Sequence, residues 1–501
     1  MEQNVVVAGW GQVIQPKNLT TMPQDPMGLM REASLEAARM MGSEQILARL
    51  DGIMVVRTLS RHYPAPDKEL ANTLGATPKF TYVSGIGGNS PQTLINMAAG
   101  MIAGNKLDSV LVTGAETYVQ RTLDTEKVES ALFRGIPPDY PGDDRIGATP
   151  LENRHGMEHP MQGFPLFETA LWANSGLDLD SYLMKIGRMW SSFSKTAAEN
   201  PFAWTRDIKT PEDIITPGPF NRPIAFPYTK LMNSFVTVDQ GASVILMSET
   251  AAKKYEMKNR RKVYFLGGGY AEDRQRFMIE KSDFTSSPPL QAAVEKALAR
   301  ASIPLEKLDC FDLYSCFPCA VSIAKKMIGI KDGDPRPLTL TGGLGFFGGP
   351  GNNYNLHAIA TLAEKISRGE YSNGLVTALG WFMHKHAAGI YGSEPNPRKI
   401  KNDHIADQDD PLSGENPMTI KEEMNGTGII ETYTVIFNTD RSPSYALVYG
   451  KTNENNRFIA GTVDHPDIFK YLMQENRIGQ KINVKFDPAK TMNIAEFSGV
   501  G

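Results

Sequence analysis

The chain has 501 residues, 41% hydrophobic and 22% charged, with a formal net charge of −4. That length exceeds one ordinary core and points to two or three domains, while a near-neutral charge with no clustered basic stripe gives no footprint for nucleic acid. No apolar run nears the ~20 residues of a membrane helix, and three cysteines make no disulfide framework. The amino end shows no charged n-region ahead of an apolar h-region, so no secretory signal is expected and the cytoplasm is the default location.

Residues 5–10 (Val-Val-Val-Ala-Gly-Trp) open the chain as a short buried strand, and helical periodicity follows over 26–41. Strands are predicted at 51–57 and Phe80–Val83. The turn 84–90, Ser-Gly-Ile-Gly-Gly-Asn-Ser, leads into a helix with Leu94, Ile95, Ala98, Met101 and Ile102 on its apolar face. The strand 109–114 is almost wholly apolar, as one covered on both sides should be. Such a turn delivers backbone N–H groups to a helix N-terminus, where a thioester oxygen or an anion is held, although tight packing is its commoner use. This strand–helix alternation predicts a mainly parallel sheet.

Over 121–235 the alternation lapses and Pro, Gly, Met and aromatic residues become frequent. One helix is expected over about 167–198, bearing Trp172 and Trp190, within loops laid over the sheet. His155 and His159 have the spacing of a helical metal pair, but Gly156, Pro160 and the want of a third ligand argue against a metal. Sheet texture returns at 236–247 and 262–269. After a helix (289–301) come a strand (309–314), a helix (320–328), a glycine-rich turn (341–351), a helix (354–368) and a strand (374–379). The second half thus repeats the first. Residues 396–417 are polar and proline-spotted, a linker by composition. Beyond it 429–437, 444–449, 457–463 and 481–486 alternate with period two around a short helix at 466–474, which predicts a small antiparallel, OB-like barrel serving as a docking module. The expected divisions are 1–120, 121–235, 236–395, the linker 396–417, and 418–501.

Four motifs resemble the thiolases. The strand–turn–helix at 80–103 is similar to their nucleophile segment, and Gly114-Ala-Glu116-Thr-Tyr118 to their downstream Gly-x-Glu signature. Tyr314-Ser315-Cys316-Phe317 resembles the His-Asp-Cys-Phe loop of the sterol-carrier-protein branch, and Gly348-Gly349-Pro350 the Gly-His-Pro turn. Laid on this chain without gaps, the family pattern puts its nucleophilic cysteine at Gly87, its turn histidine at Gly349 and its late cysteine at Gly380. With the Gly-Gly-Asn-Ser-Pro turn, Gly-Gly-Pro-Gly-Asn-Asn-Tyr in the second half and the added terminal domain, the chain resembles thiolase-like proteins of type 1.

That resemblance implies the α/β thiolase fold, two similar βαβαβ halves layered α-β-α-β-α, and an affinity for coenzyme A thioesters as substrate or ligand, with no tightly bound cofactor and no metal. It implies a thiolase-like acyl-CoA acyltransferase deprived of its usual thiolate. The alternatives are a non-catalytic acyl-CoA binder or scaffold, and a thioester hydrolase or decarboxylase. Of the family's chemical groups only Cys316 stands at its own position; its expected partners are His386 or His357, with Ser90 or water attacking in the hydrolytic version. His384 and His386 as solvent-facing loop residues are the competing reading. Gly87, Gly88, Asn89, Tyr314, Gly348, Gly349, Asn352, Asn353 and Lys385 are expected to line the oxyanion or substrate site. Cys316-Phe-Pro-Cys319 also matches a redox C-x-x-C, without the surrounding chain such a motif needs. The added domain is the expected dock for a homodimer mate or another protein.

Overall fold

The computed structural model describes residues 3–16, 23–119, 147–255, 260–397 and 412–497. The first half supplies β1 (Val5–Ile14), β2 (Gly52–Val55), β3 (Phe80–Val83) and β4 (Ser109–Thr117). Two short strands, β5 (Pro223–Ala225) and β6 (Tyr228–Thr229), precede β7 (Asp239–Ser248). The order is β3-β2-β4-β7-β1, with β2, β3 and β4 parallel and β7 antiparallel to both neighbours. The second half supplies β8 (Tyr264–Asp273), β9 (Cys310–Asp312), β10 (Asn373–Gly380) and β11 (Lys385–Gly392) in the order β9-β10-β11-β8, with the same senses. Backbone bonds from Phe311 N to Pro337 O and from Leu313 N to Leu338 O, both 2.9 Å, set the 337–338 segment beside β9 as β3 sits beside β2. The repeat expected from the sequence is therefore present, and β1 joins the halves by pairing Val5 and Val6 with Phe265 and Tyr264 of β8.

Two helices, Ser90–Ala103 and Tyr354–Ser367, lie between the half-sheets and touch strands of both. Pro26–Met40 covers the first half-sheet from outside and Pro288–Ala301 the second, which completes the five layers. A helix enclosed on every side must satisfy its polar groups internally. Asn96 Nδ2 donates to Gly269 O at 3.1 Å, Gln92 Nε2 to Asn96 Oδ1 at 2.8 Å, and Tyr391 OH to Gln92 Oε1 at 3.0 Å.

Two sequence expectations change. The single helix over 167–198 is two, Pro160–Ser175 and Leu179–Glu199, because Gly176 turns left-handed (φ +70°) and Asp178 caps the second helix. The segment around His384 and His386 opens β11, a central strand, and both histidines are buried. They do not face solvent. Parts of the expected insertion (120–146) and linker (398–411) lie outside the described residues.

After β12 (Leu412–Ser413), which adds to β8, the chain forms β13 (Gly426–Phe437), β14 (Pro443–Lys451), β15 (Arg457–Thr462), β16 (Lys481–Asp487) and β17 (Met492–Glu496). These close as β13-β14-β15-β17-β16 back to β13, the small barrel that the alternation predicts, but with a fifth strand, β17, beyond the four read from the sequence, and with β15 and β17 parallel where an antiparallel barrel is expected. It is bound to the rest of the chain. β5 extends its sheet through Ile436 and Ala225. Thr432 Oγ1 donates to Leu166 O at 2.5 Å, Thr434 Oγ1 to Phe226 O at 2.8 Å, and Tyr449 OH to Glu152 Oε1 at 3.0 Å. Glu152 is buried, which pushes its carboxyl up, and it also accepts from Ile279 N and Thr149. Removing one donor from a buried carboxylate costs about 1–3 kcal/mol. Tyr449→Phe should lower the urea midpoint accordingly; an unchanged midpoint would show that this contact does not hold the barrel.

Candidate functional site

The site lies where the two glycine-rich turns face each other. β3 ends at Val83 and the helix Ser90–Ala103 begins with Pro91 in its first turn, where no N–H is needed. The turn between them is fixed from both halves. Gly87 N donates to Asn352 Oδ1 at 3.0 Å, Asn352 Nδ2 to Arg57 O at 2.9 Å, and Lys385 Nζ to Ile86 O at 2.9 Å. Ser90 Oγ donates to Gly85 O at 3.0 Å, so this hydroxyl braces the turn. Asn353 Nδ2 reaches Gly114 O at 2.6 Å, and Glu116 accepts from Leu59 N and Ser60 N at 2.7 Å. The Gly-x-Glu signature is thus a framework carboxylate.

The expected nucleophile position is filled from the side. A Cβ on Gly87 (φ +144°) would lie 2.3 Å from Asn89 Oδ1, and a Cβ on Gly380 would lie 2.2 Å from the same atom. One carboxamide therefore occupies the space into which side chains at both positions would project. Asn89 is only 5% exposed, and its Oδ1 has no hydrogen-bond partner among the described residues. Gly88 is similarly committed: a Cβ there would lie 2.0 Å from the hydroxyl oxygen of Tyr314, whose ring meets Tyr354 edge-on. Gly348 (φ +116°) turns beside Gln240, whereas a Cβ on Gly349 would make ordinary contact with Leu344 and Ser234.

The thiol–imidazole pairs expected from the sequence do not form. The ring of His386 meets Ser287 Oγ through Nε2 at 3.0 Å, because strand alternation turns it away from Lys385. His357 Nδ1 contacts Gln12 Oε1 at 2.9 Å, and its ring packs at a tilt against Phe347. Burial lowers both imidazoles to about 3, with Lys281 adding to the effect on His386, so each is neutral near pH 7. Cys316 is buried, its thiol pushed up by that burial, and its carbonyl accepts from Ser234 Oγ at 2.9 Å. Cys319 directs its thiol to Phe164 O, and all three cysteines are free. His155 uses Nδ1 on Leu151 O and Nε2 on Asn493 N, which leaves no lone pair for a metal shared with His159.

Two acids that the sequence reading missed shape the surroundings. Asp312 accepts from Leu340 N, Thr341 N, Thr339 Oγ1 and Tyr354 OH, and so organises the second glycine turn. An acid inside the apolar run Cys-Phe-Asp-Leu was the available signal, since a buried charge must be paired. Glu272 stands on β8 directly opposite Lys385 of β11, and Tyr270 OH donates to it at 2.5 Å. With Lys385, Asn89 and Ser90 it lines a cavity of about 180 Å³ beside the first turn.

A family model described as thiolase-like protein type 1 additional C-terminal domain matches residues 410–489. Among solved structures, the chain is similar at 30% identity to a monomeric SCP2-thiolase-like protein type 1 from Mycobacterium smegmatis, with a TM-score of 0.80 over 99% of each chain. It is similar at 19% identity to an Ltp2–ChsH2(DUF35) aldolase, with a TM-score of 0.60 over 78% of this chain and 97% of that one. It is similar at 15% identity to the acetyl-CoA acetyltransferase from Syntrophomonas wolfei, with a TM-score of 0.56 over 79% of this chain and 100% of that one. The latter two likenesses are of fold. No curated protein matches the chain.

Proposed function

Because the chain belongs to the SCP2-thiolase-like proteins of type 1, we propose that it binds coenzyme A thioesters between its two glycine turns and handles the acyl group without a cysteinyl intermediate. The supporting observation is Asn89, whose Oδ1 stands 2.3 Å and 2.2 Å from the Cβ positions of Gly87 and Gly380. A thiolate at either place has no room, and the only cysteine of the expected set, Cys316, is buried with its thiol raised, far from the thiolate a nucleophile needs. What the site keeps is binding equipment: the N-terminus of a fourteen-residue helix, the Asn89 and Asn352 amides and the Lys385 ammonium. Acyl transfer that bypasses an acyl-enzyme is the reading we favour, with pure binding as the runner-up. The M. smegmatis relative is monomeric by description. We propose the same state here, since the barrel packs against its own chain. No helix among the described residues is long and apolar enough to cross a membrane, and we place the protein in the cytoplasm.

The test pairs two measurements on the intact protein. Acetoacetyl-CoA mixed with free coenzyme A should show no thiolysis above the uncatalysed rate, while calorimetry should show saturable binding of acetyl-CoA. Thiolytic turnover would refute the loss of the cysteine route. Absence of any binding would refute the ligand.

A further inference from the structure

Resting on that reading, we infer that the Tyr314 hydroxyl is the hydrogen-bond donor for the carbonyl oxygen of the bound thioester. Tyr314 spans the space between the two glycine turns. Its ring meets Tyr354 edge-on, in the first turn of the helix that follows the second glycine turn. Its hydroxyl reaches the first glycine turn, where a Cβ on Gly88 would lie 2.0 Å from it and 2.6 Å from Leu379 O. The hydroxyl therefore stands next to Gly87 in the chain and beside the end of β10, one residue short of Gly380. The residue is held in place. Tyr314 N donates to Thr377 Oγ1 at 2.9 Å, and the ring it leans on is anchored by Tyr354 OH donating to Asp312 at 2.9 Å.

The hydroxyl is the open end of this arrangement. Just beyond β9, Leu313 and Ser315 are fully buried, whereas Tyr314 and Cys316 each keep 8% of their surface. The two accessible side chains alternate with the two buried ones, which continues the period of the strand. The Tyr314 hydroxyl makes no hydrogen bond among the described residues, and unlike Asn89 Oδ1 it is not sealed from solvent. Burial, with Cys316 adding to it, pushes the phenol well above its ordinary value, so it keeps its proton at neutral pH. Such a group is a donor rather than a base. The partner it lacks is an acceptor, and a thioester offers a carbonyl oxygen at its reactive carbon. Negative charge gathers on that oxygen when the carbonyl carbon is attacked, so a donor fixed there is worth more as the reaction proceeds.

The test compares acetyl-CoA with S-ethyl-coenzyme A, a thioether of the same skeleton without the carbonyl oxygen, by calorimetry on the full chain. The parent should favour acetyl-CoA roughly tenfold, the size of one hydrogen bond from a well-placed donor. Tyr314→Phe keeps the ring and removes only the hydroxyl. It should erase that preference and leave the affinity for S-ethyl-coenzyme A unchanged. Infrared spectra of isotope-labelled acetyl-CoA give a second readout. The thioester carbonyl stretch should fall to lower wavenumber on binding to the parent, and should not fall on binding to Tyr314→Phe. A purely structural role for Tyr314 predicts equal losses for both ligands, and that result overturns the assignment. A preference or a band shift that survives in Tyr314→Phe overturns it too, as does a parent that binds both ligands alike. Failure of the parent to bind acetyl-CoA at all overturns the preceding reading, and the donor with it.

Discussion

Restoring a cysteine at Gly87 should leave thiolysis at background and destabilise the protein by about 2–6 kcal/mol, the sum expected for strained backbone and an overpacked site. Gly87 has φ +144°, a conformation that side-chain-bearing residues rarely adopt, and the new Cβ would meet Asn89 Oδ1 at 2.3 Å. Asn89 cannot yield toward Gly380, since its Oδ1 already fills that side. The double variant Gly87→Cys/Asn89→Ala removes the clash and should recover part of the lost stability. It should still not turn over. Neither imidazole expected from the sequence is directed there: Gly349 occupies the turn where the family has histidine, His386 is turned to Ser287 and His357 to Gln12. Denaturation midpoints and acetoacetyl-CoA consumption measure the two halves of this expectation. A single Gly87→Cys protein as stable as its parent, or one that cleaves acetoacetyl-CoA, would show that the site retains a thiolase's room and base.

Much of this arrangement is legible in the chain because glycine turns announce themselves. The turn 84–90 and the run 341–351 each lead into a buried helix, and the resemblance to the thiolase pattern singles out Gly87, Gly349 and Gly380. The barrel is equally open to reading over β13 to β16, which alternate with period two between turns; β17 and its parallel pairing with β15 are not read from that pattern. Asn89 is different. Its importance depends on Gly380, remote in sequence, and on the direction of one carboxamide, neither of which local pattern encodes. β11 was hidden for another reason. Its residues Ala387, Ala388 and Gly389 have little strand propensity, but a Cβ on Gly389 would lie 2.3 Å from Gln92 Nε2. The central helix presses so closely on the sheet that the strand must be built from small residues, so tertiary packing overrides propensity. Without that strand the sequence sets His386 beside Cys316, whereas in the fold it meets Ser287.

A second large effect is expected from Glu168, which joins the four elements beneath the Cys316 loop. It lies on the helix Pro160–Ser175 and accepts from Tyr182 OH and Tyr228 OH, each at 2.5 Å. Tyr228 OH in turn accepts from Cys319 N at 3.3 Å, in the first turn of the helix Pro318–Ile328. Full burial pushes the carboxyl up from 4.5 to about 7, with the two tyrosines opposing the rise. Between those values the unfolded chain has lost the proton and the folded one still holds it. The folded state binds more protons, so stability falls as pH rises through this window, by roughly 3 kcal/mol in all. Glu168→Gln has no proton to lose and should show a flatter profile. The neutral buried histidines His357 and His386 tilt the profile the other way, with stability lost as pH drops below 6.5. Both proteins share that slope, so it cancels in their difference. Urea midpoints at pH 5 and pH 8 for parent and variant isolate the Glu168 contribution. The parent should lose stability relative to Glu168→Gln across that interval. Parallel profiles would mean that the carboxyl ionises at its ordinary value in the fold, and that the two tyrosine hydroxyls compensate its burial completely.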